Sequence, residues 1–151
     1  GKVIPGKMQV RKDLTEIMAE HHIPYVAQTL AMTNFKDLYE KAEKAIYTEG
    51  PAFLNVMAPC PRGWGYATED LMKINKLAAD TCYWPLYEVV DGKYHITYKP
   101  AKKLPVEEFL RPQKRFKHMF KPGNEWMIQE FQRVVDERWN ELLELEKITN
   151  K

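Results

Sequence analysis

The sequence lacks the features of a membrane protein, a nucleic-acid-binding protein or a secreted protein. Its 151 residues contain no apolar run near the roughly 20 residues that a membrane helix needs. The 23 basic and 21 acidic residues are interspersed, so there is no basic stripe to bind a phosphate backbone. The first dozen residues are predicted to be an irregular lead-in, and they have no apolar signal-peptide core. We therefore expect a cytoplasmic protein with no nucleic acid and no membrane among its partners.

Cysteine is also scarce, with only Cys60 and Cys82 in the chain. Two cysteines allow one disulfide at most, and without a secretory signal that use is disfavoured. A closed zinc site or an iron-sulfur site needs about four soft ligands, and no Cys-x-x-Cys pair is present to begin one. Any cluster must therefore take cysteines from outside this chain. The 7 glycines are scattered and do not form a phosphate-binding pattern.

The order of the elements in the first half predicts an α/β fold. Residues 25–30 are predicted to be a buried strand and residues 52–57 a second strand, joined by a helix whose cap is Thr33 or Asn34. This helix carries apolar residues at helical spacing, namely Phe35, Leu38, Ala42, Ala45 and Ile46. Strand, helix and strand with short connections form a parallel crossover unit, which suits a sheet covered by helices. Further helices are expected after Asp13, as an N-cap, and from Thr68.

The second half predicts a hairpin followed by helices. Residues 86–90 and 93–98 are rich in β-forming residues, and the Asp91-Gly92 pair between them suits a two-residue turn. A short helix is expected at residues 105–110, with Pro105 at its first position, and a long one from about Gly123 to Lys147. The chain is accordingly divided into residues 1–98, the α/β part with the hairpin, and residues 99–151, a helical arm.

The best functional candidate is the segment that follows the second strand, residues 58–66. It lies at the carboxyl end of a strand, the edge where open α/β sheets bind ligands. Pro59 and Pro61 predict a loop without regular structure that is fixed and kept dry. The ordinary role of Cys60 there is that of a small buried hydrophobe, and its functional alternative is a thiolate ligand. Cys82, at a helix end, is predicted to be buried and inert.

Several motifs, taken in order along the chain, resemble the beta subunit of pyruvate:ferredoxin oxidoreductase and its relatives. They are residues 13–18, 23–27 and 49–53, the Ala58-Pro59-Cys60-Pro61 loop with Gly63 and Trp64, residues 83–88 and 106–110, and Arg115-Phe116. The resemblance covers about residues 1–118, and the final helix is only consistent with it. It implies a partial thiamine-diphosphate-binding parallel sheet with flanking helices, the C-terminal part of that domain, followed by a β-hairpin and a helical arm.

The resemblance also implies an enzyme. Its relatives decarboxylate a 2-oxoacid on thiamine diphosphate, pass electrons through iron-sulfur clusters to ferredoxin and deliver the acyl group to coenzyme A. The implied partners are the N-terminal half of the same subunit, the other subunits and ferredoxin. The 2-oxoacid stays open among pyruvate, oxalate, 2-oxoglutarate and branched-chain acids.

The resemblance gives Cys60 a specific role. It implies that Cys60 is the fourth ligand of a 4Fe-4S cluster whose other three cysteines lie outside this chain, and that Cys82 is no ligand. The Gly-Asp-Gly motif and downstream Asn that hold Mg2+ and thiamine diphosphate are absent. The chain is therefore expected to be a fragment that is inactive alone, with both groups bound mainly by residues elsewhere. No catalytic residue is assigned.

A function of a different class also stays open. The predicted final helix carries an apolar stripe from Trp126 to Leu145, which would leave a large exposed patch without a protein surface to cover it. That surface is either the chain's own core or a neighbouring subunit. The rival function is a non-catalytic interaction module that binds a partner through this stripe, with both cysteines inert.

Overall fold

The computed structural model describes residues 10–151, so most of the predicted lead-in, residues 1–9, lies outside the described residues. The elements are α1 (Leu14–Ala19), β1 (Tyr25–Leu30), α2 (Phe35–Tyr47), β2 (Ala52–Met57), α3 (Pro61–Trp64), α4 (Leu71–Asp80), β3 (Leu86–Val90), β4 (Lys93–Tyr98), α5 (Val106–Leu110) and α6 (Glu125–Thr149). Two 3₁₀ segments, Thr68–Asp70 and Lys114–Phe120, precede α4 and follow α5. No helix in this described range is long and apolar enough to cross a membrane.

The four strands form one mixed sheet in the order β2-β1-β3-β4. The first two strands are parallel, with Tyr25 opposite Ala52, which confirms the predicted crossover unit and the α/β class. The hairpin is also confirmed, and its turn places Asp91 at φ 47 and Gly92 at φ 78. The hairpin joins the same sheet, because β3 pairs antiparallel with β1. With a neighbour on each side, β1 is buried along its whole length.

One face of the sheet packs against the final helix. Leu142 of α6 is fully buried in a cluster with Val26, Tyr87, Val89 and Tyr94 from three strands. At its other end α6 contributes Val135 to a second cluster, which also contains side chains from β1, α4 and α5. The long helix therefore covers the chain's own core, and its stripe is largely used within the chain.

The opposite face of the sheet packs against α2 with polar side chains. The prediction that the apolar side chains of this helix face the core is wrong at both of its ends, because Phe35 is 56% exposed and Ile46 is 77% exposed. Lys41 is buried in their place, 1% exposed. Its Nζ donates to Asp37 Oδ2 at 2.8 Å, to the carbonyl of Gln28 at 2.9 Å and to Thr97 Oγ1 at 2.8 Å. These partners come from the helix and from two strands, and they satisfy the ammonium group that burial removes from water.

Candidate functional site

The segment around Cys60 is a tight turn at the carboxyl end of β2. The prediction of a loop without regular structure is wrong, since residues Pro61–Trp64 form a single helical turn. Cys60 is its N-cap and Pro61 stands in the first turn, where a missing backbone N–H costs nothing. The Gly63 N–H donates to Cys60 Sγ at 3.4 Å. Gly65 ends the turn at φ +71, and its N–H donates to the Pro61 carbonyl at 2.8 Å.

The two cysteines have opposite environments. Cys60 is exposed, so the expectation that the prolines keep this loop dry is wrong for the described chain by itself. Cys82 lies in the core, 2% exposed, as the sequence predicted. Burial raises the pKa of Cys82 to about 11, which leaves its thiol protonated at neutral pH. Since the thiolate is the form that binds metals and attacks electrophiles, Cys60 is the chemically accessible cysteine of the pair.

Residues 10–151 contain no group of three or more His, Cys, Asp or Glu side chains that could hold a metal ion. Cys60 can therefore supply one ligand to a cluster, and other ligands must come from elsewhere. Its environment fits that use: the sulfur faces outward, and a backbone N–H is directed at it. Such N–H donors to ligand sulfurs are among the features that set cluster potentials.

The C-terminal part of the chain supports the turn from behind. The Lys114 N–H donates to the Gly65 carbonyl at 3.1 Å. The Trp64 ring packs edge-on against Phe109 of α5, with centroids 6.2 Å apart. The guanidinium carbon of Arg115 lies 3.8 Å from the centroid of the Trp64 ring. The segment Lys114–Phe120 thus packs against the Cys60 turn and stabilises it. The sequence did not predict this contact, although Arg115-Phe116 was among the motifs that carried the resemblance.

Two polar atoms behind this turn are enclosed without a hydrogen-bond partner among the described residues, the Tyr66 hydroxyl and Arg115 Nη2. The Nε atom of the same guanidinium does have a partner, because it donates to Gln113 Oε1 at 2.8 Å. Burial raises the pKa of Tyr66, and negative charge on Cys60 raises it further. Burial lowers the pKa of Arg115. No carboxylate of the described residues forms an ion pair with it.

Comparison with known proteins gives a clear relationship, although no family model matches the chain. The chain is 44% identical over 150 residues to pyruvate synthase subunit PorB of Thermotoga maritima. The alignment covers 99% of this chain and 46% of the relative. The chain is a homologue of proteins named pyruvate synthase subunit PorB and ketoisovalerate oxidoreductase subunit VorB. PorB of Methanocaldococcus jannaschii is 44% identical over 138 residues, 91% of this chain and 45% of the relative.

The VorB homology rests on ketoisovalerate oxidoreductase subunit VorB of Pyrococcus furiosus, 39% identical over 140 residues, 91% of this chain and 43% of that subunit. These relatives confirm the predicted resemblance to the oxidoreductase subunits, and by name each is a component of an enzyme. The chain spans about half the length of the curated relatives it matches.

Proposed function

We propose that this PorB and VorB homologue acts as part of a 2-oxoacid:ferredoxin oxidoreductase. The enzyme oxidatively decarboxylates a 2-oxoacid on thiamine diphosphate, and electrons pass through a 4Fe-4S cluster to ferredoxin. The observation that carries the proposal is Cys60, an exposed cysteine that caps a helical turn at the carboxyl end of β2. That edge of an α/β sheet is where ligands bind.

Cys60 is the residue of this chain that we assign to the cluster, with its thiolate as one of about four sulfur ligands. The bound cluster supplies the capacity to take up and release single electrons. The turn Pro61–Trp64 holds the sulfur at a fixed position, and the Gly63 N–H donates to it. The remaining ligands, thiamine diphosphate and Mg2+ are assigned mainly to residues outside this chain, and no catalytic role is assigned within it.

The outer surface of α2 supports the proposal that the rest of the subunit and other subunits are partners. Four large apolar or aromatic side chains are exposed on this helix: Phe35 at 56%, Tyr39 at 67%, Ile46 at 77% and Tyr47 at 79%. Within residues 10–151, β2 pairs only with β1 and leaves one edge free. An apolar helix face beside an open strand edge is a surface that other protein normally covers. Ferredoxin as the electron acceptor and a cytoplasmic location belong to the same proposal.

The rival function, a non-catalytic module that binds through α6, is less well supported. Val135 and Leu142 are buried in the chain's own core. Only the ends of the helix keep large exposed side chains, Trp126 at 55% and Ile148 at 54%. A helix whose apolar stripe is already used internally offers little area to a partner.

The proposal is tested by measuring the iron and acid-labile sulfide content of the purified oxidoreductase complex. Cys60→Ser should remove about four irons per copy of the chain and alter the cluster's electron paramagnetic resonance (EPR) signal. Cys82→Ala is the matched control and should leave both unchanged, because its thiol is buried and protonated. Loss of the signal in Cys82→Ala with an intact signal in Cys60→Ser would refute the assignment.

A further inference from the structure

Arg115 and Tyr66 are candidates for a role beyond the support of the Cys60 turn. Both stand directly behind it: Tyr66 follows Gly65, and Arg115 lies on the Trp64 ring at 3.8 Å. Each keeps an enclosed polar atom without a partner among the described residues. Buried donors in proteins are almost always hydrogen-bonded, so two unsatisfied ones behind the same turn indicate a missing acceptor.

The position of Arg115 is held by the fold. Gln113, 1% exposed, accepts from Arg115 Nε at 2.8 Å, while its own backbone N–H donates to the Leu110 carbonyl at 3.1 Å. The ring centroids of Trp64 and Phe116 lie 3.8 and 4.5 Å from the guanidinium carbon. These contacts fix the guanidinium plane, yet none of them neutralises its charge. A partly buried cation without a counter-ion is costly unless an anionic group completes the site.

We propose that Arg115 and Tyr66 are positioning residues that direct a positive charge and hydrogen-bond donors toward the anionic group held by Cys60. This inference rests on the proposed function, in which that group is a 4Fe-4S cluster with thiolate ligands. Reduction adds one electron, and hence one negative charge, beside Cys60, while no bond in the chain forms or breaks. A fixed positive charge and a phenol donor nearby stabilise the reduced state more than the oxidised state.

The test uses the purified oxidoreductase complex and the reduction potential of the cluster whose EPR signal is lost or altered in Cys60→Ser. At the effective permittivity of protein, a unit charge on the order of 10 Å from a redox group changes its reduced fraction at fixed potential about tenfold, and removal of the Arg115 charge should lower that fraction by up to about this factor. For one electron, tenfold corresponds to about 59 mV. Arg115→Met should therefore make the potential more negative by up to about this amount. Lys117→Met removes an exposed charge from the same 3₁₀ segment and should leave the potential nearly unchanged.

Two conservative variants keep the test decisive if Arg115→Met does not assemble. Tyr66→Phe removes only the hydroxyl and should also make the potential more negative, whereas Arg115→Lys keeps the charge and should stay close to the parent. A cluster of normal iron content whose potential is the same in the parent, Arg115→Met and Tyr66→Phe would overturn the inference while leaving the proposed function intact. Absence of iron and sulfide from the parent complex would instead overturn the proposed function.

Discussion

The contact between the Cys60 turn and the C-terminal segment is tested by Gly65→Ala. Gly65 has φ +71, and a Cβ atom added there would lie 2.8 Å from Lys114 Cβ. Lys114 Cβ is bonded to the main chain, so it cannot swing away as the end of a long side chain would. The two residues are also joined by the hydrogen bond from the Lys114 N–H to the Gly65 carbonyl. Relief of the clash must therefore move the backbone of the 3₁₀ segment away from the turn.

The expected loss of folding stability in Gly65→Ala has two parts. The left-handed conformation costs an alanine about 1–2 kcal/mol, and forcing a methyl group into a packed contact costs about 1–3 kcal/mol more. Gly65→Ala should therefore lower the free energy of unfolding by about 2–5 kcal/mol. Gly123→Ala is the matched control: it has φ +84 and open space around the added Cβ, so it should show only the first part.

Urea unfolding of the two variants, followed by circular dichroism, measures the difference as a change of midpoint at constant slope. Lys114→Gly removes the opposing Cβ, so combining it with Gly65→Ala should return much of the second part as a favourable coupling energy. Equal losses in Gly65→Ala and Gly123→Ala, with no coupling to Lys114, would show that the turn and the 3₁₀ segment are not packed as described.

Two further predictions concern buried ionisable groups. Lys41→Met should cost about 3–5 kcal/mol, because it leaves the Asp37 carboxylate without its cation. Adding Asp37→Leu should recover part of that loss in urea unfolding, and a single-variant loss below about 1 kcal/mol would contradict a buried pair. For Cys82, burial raises the pKa from 9.0 to about 11. The unfolded thiol ionises near its ordinary pKa, so this group's contribution is intact below about pH 9 and falls by about 1.4 kcal/mol per pH unit up to about 11. The stability difference between the parent and Cys82→Ala should therefore shrink over that range, and a constant difference would refute it. Native alkylation should label Cys60 and spare Cys82.

Much of the fold could be predicted because its determinants are local. The crossover strands, the Asp91-Gly92 hairpin and the helix after Thr68 each follow from periodicity, caps and turn residues within about a dozen positions. The position of Cys60 at the carboxyl end of a strand follows from the same order of elements. The burial of Cys82 follows from its place just after an amphipathic helix with one apolar face. The relationship to PorB and VorB was likewise contained in short ordered motifs.

What only the tertiary structure decided depends on residues far apart in the chain. Lys41 is buried because its partners Asp37, Gln28 and Thr97 are gathered from a helix and two strands, and helical periodicity predicted apolar residues instead. The hairpin joins β1, and α6 covers the chain's own sheet, and these pairings bury apolar side chains of both partners in one cluster. Local sequence specifies which surface each element offers but not which other surface it meets. For that reason the stacking of Arg115 on Trp64, behind Cys60, emerged only from the folded chain.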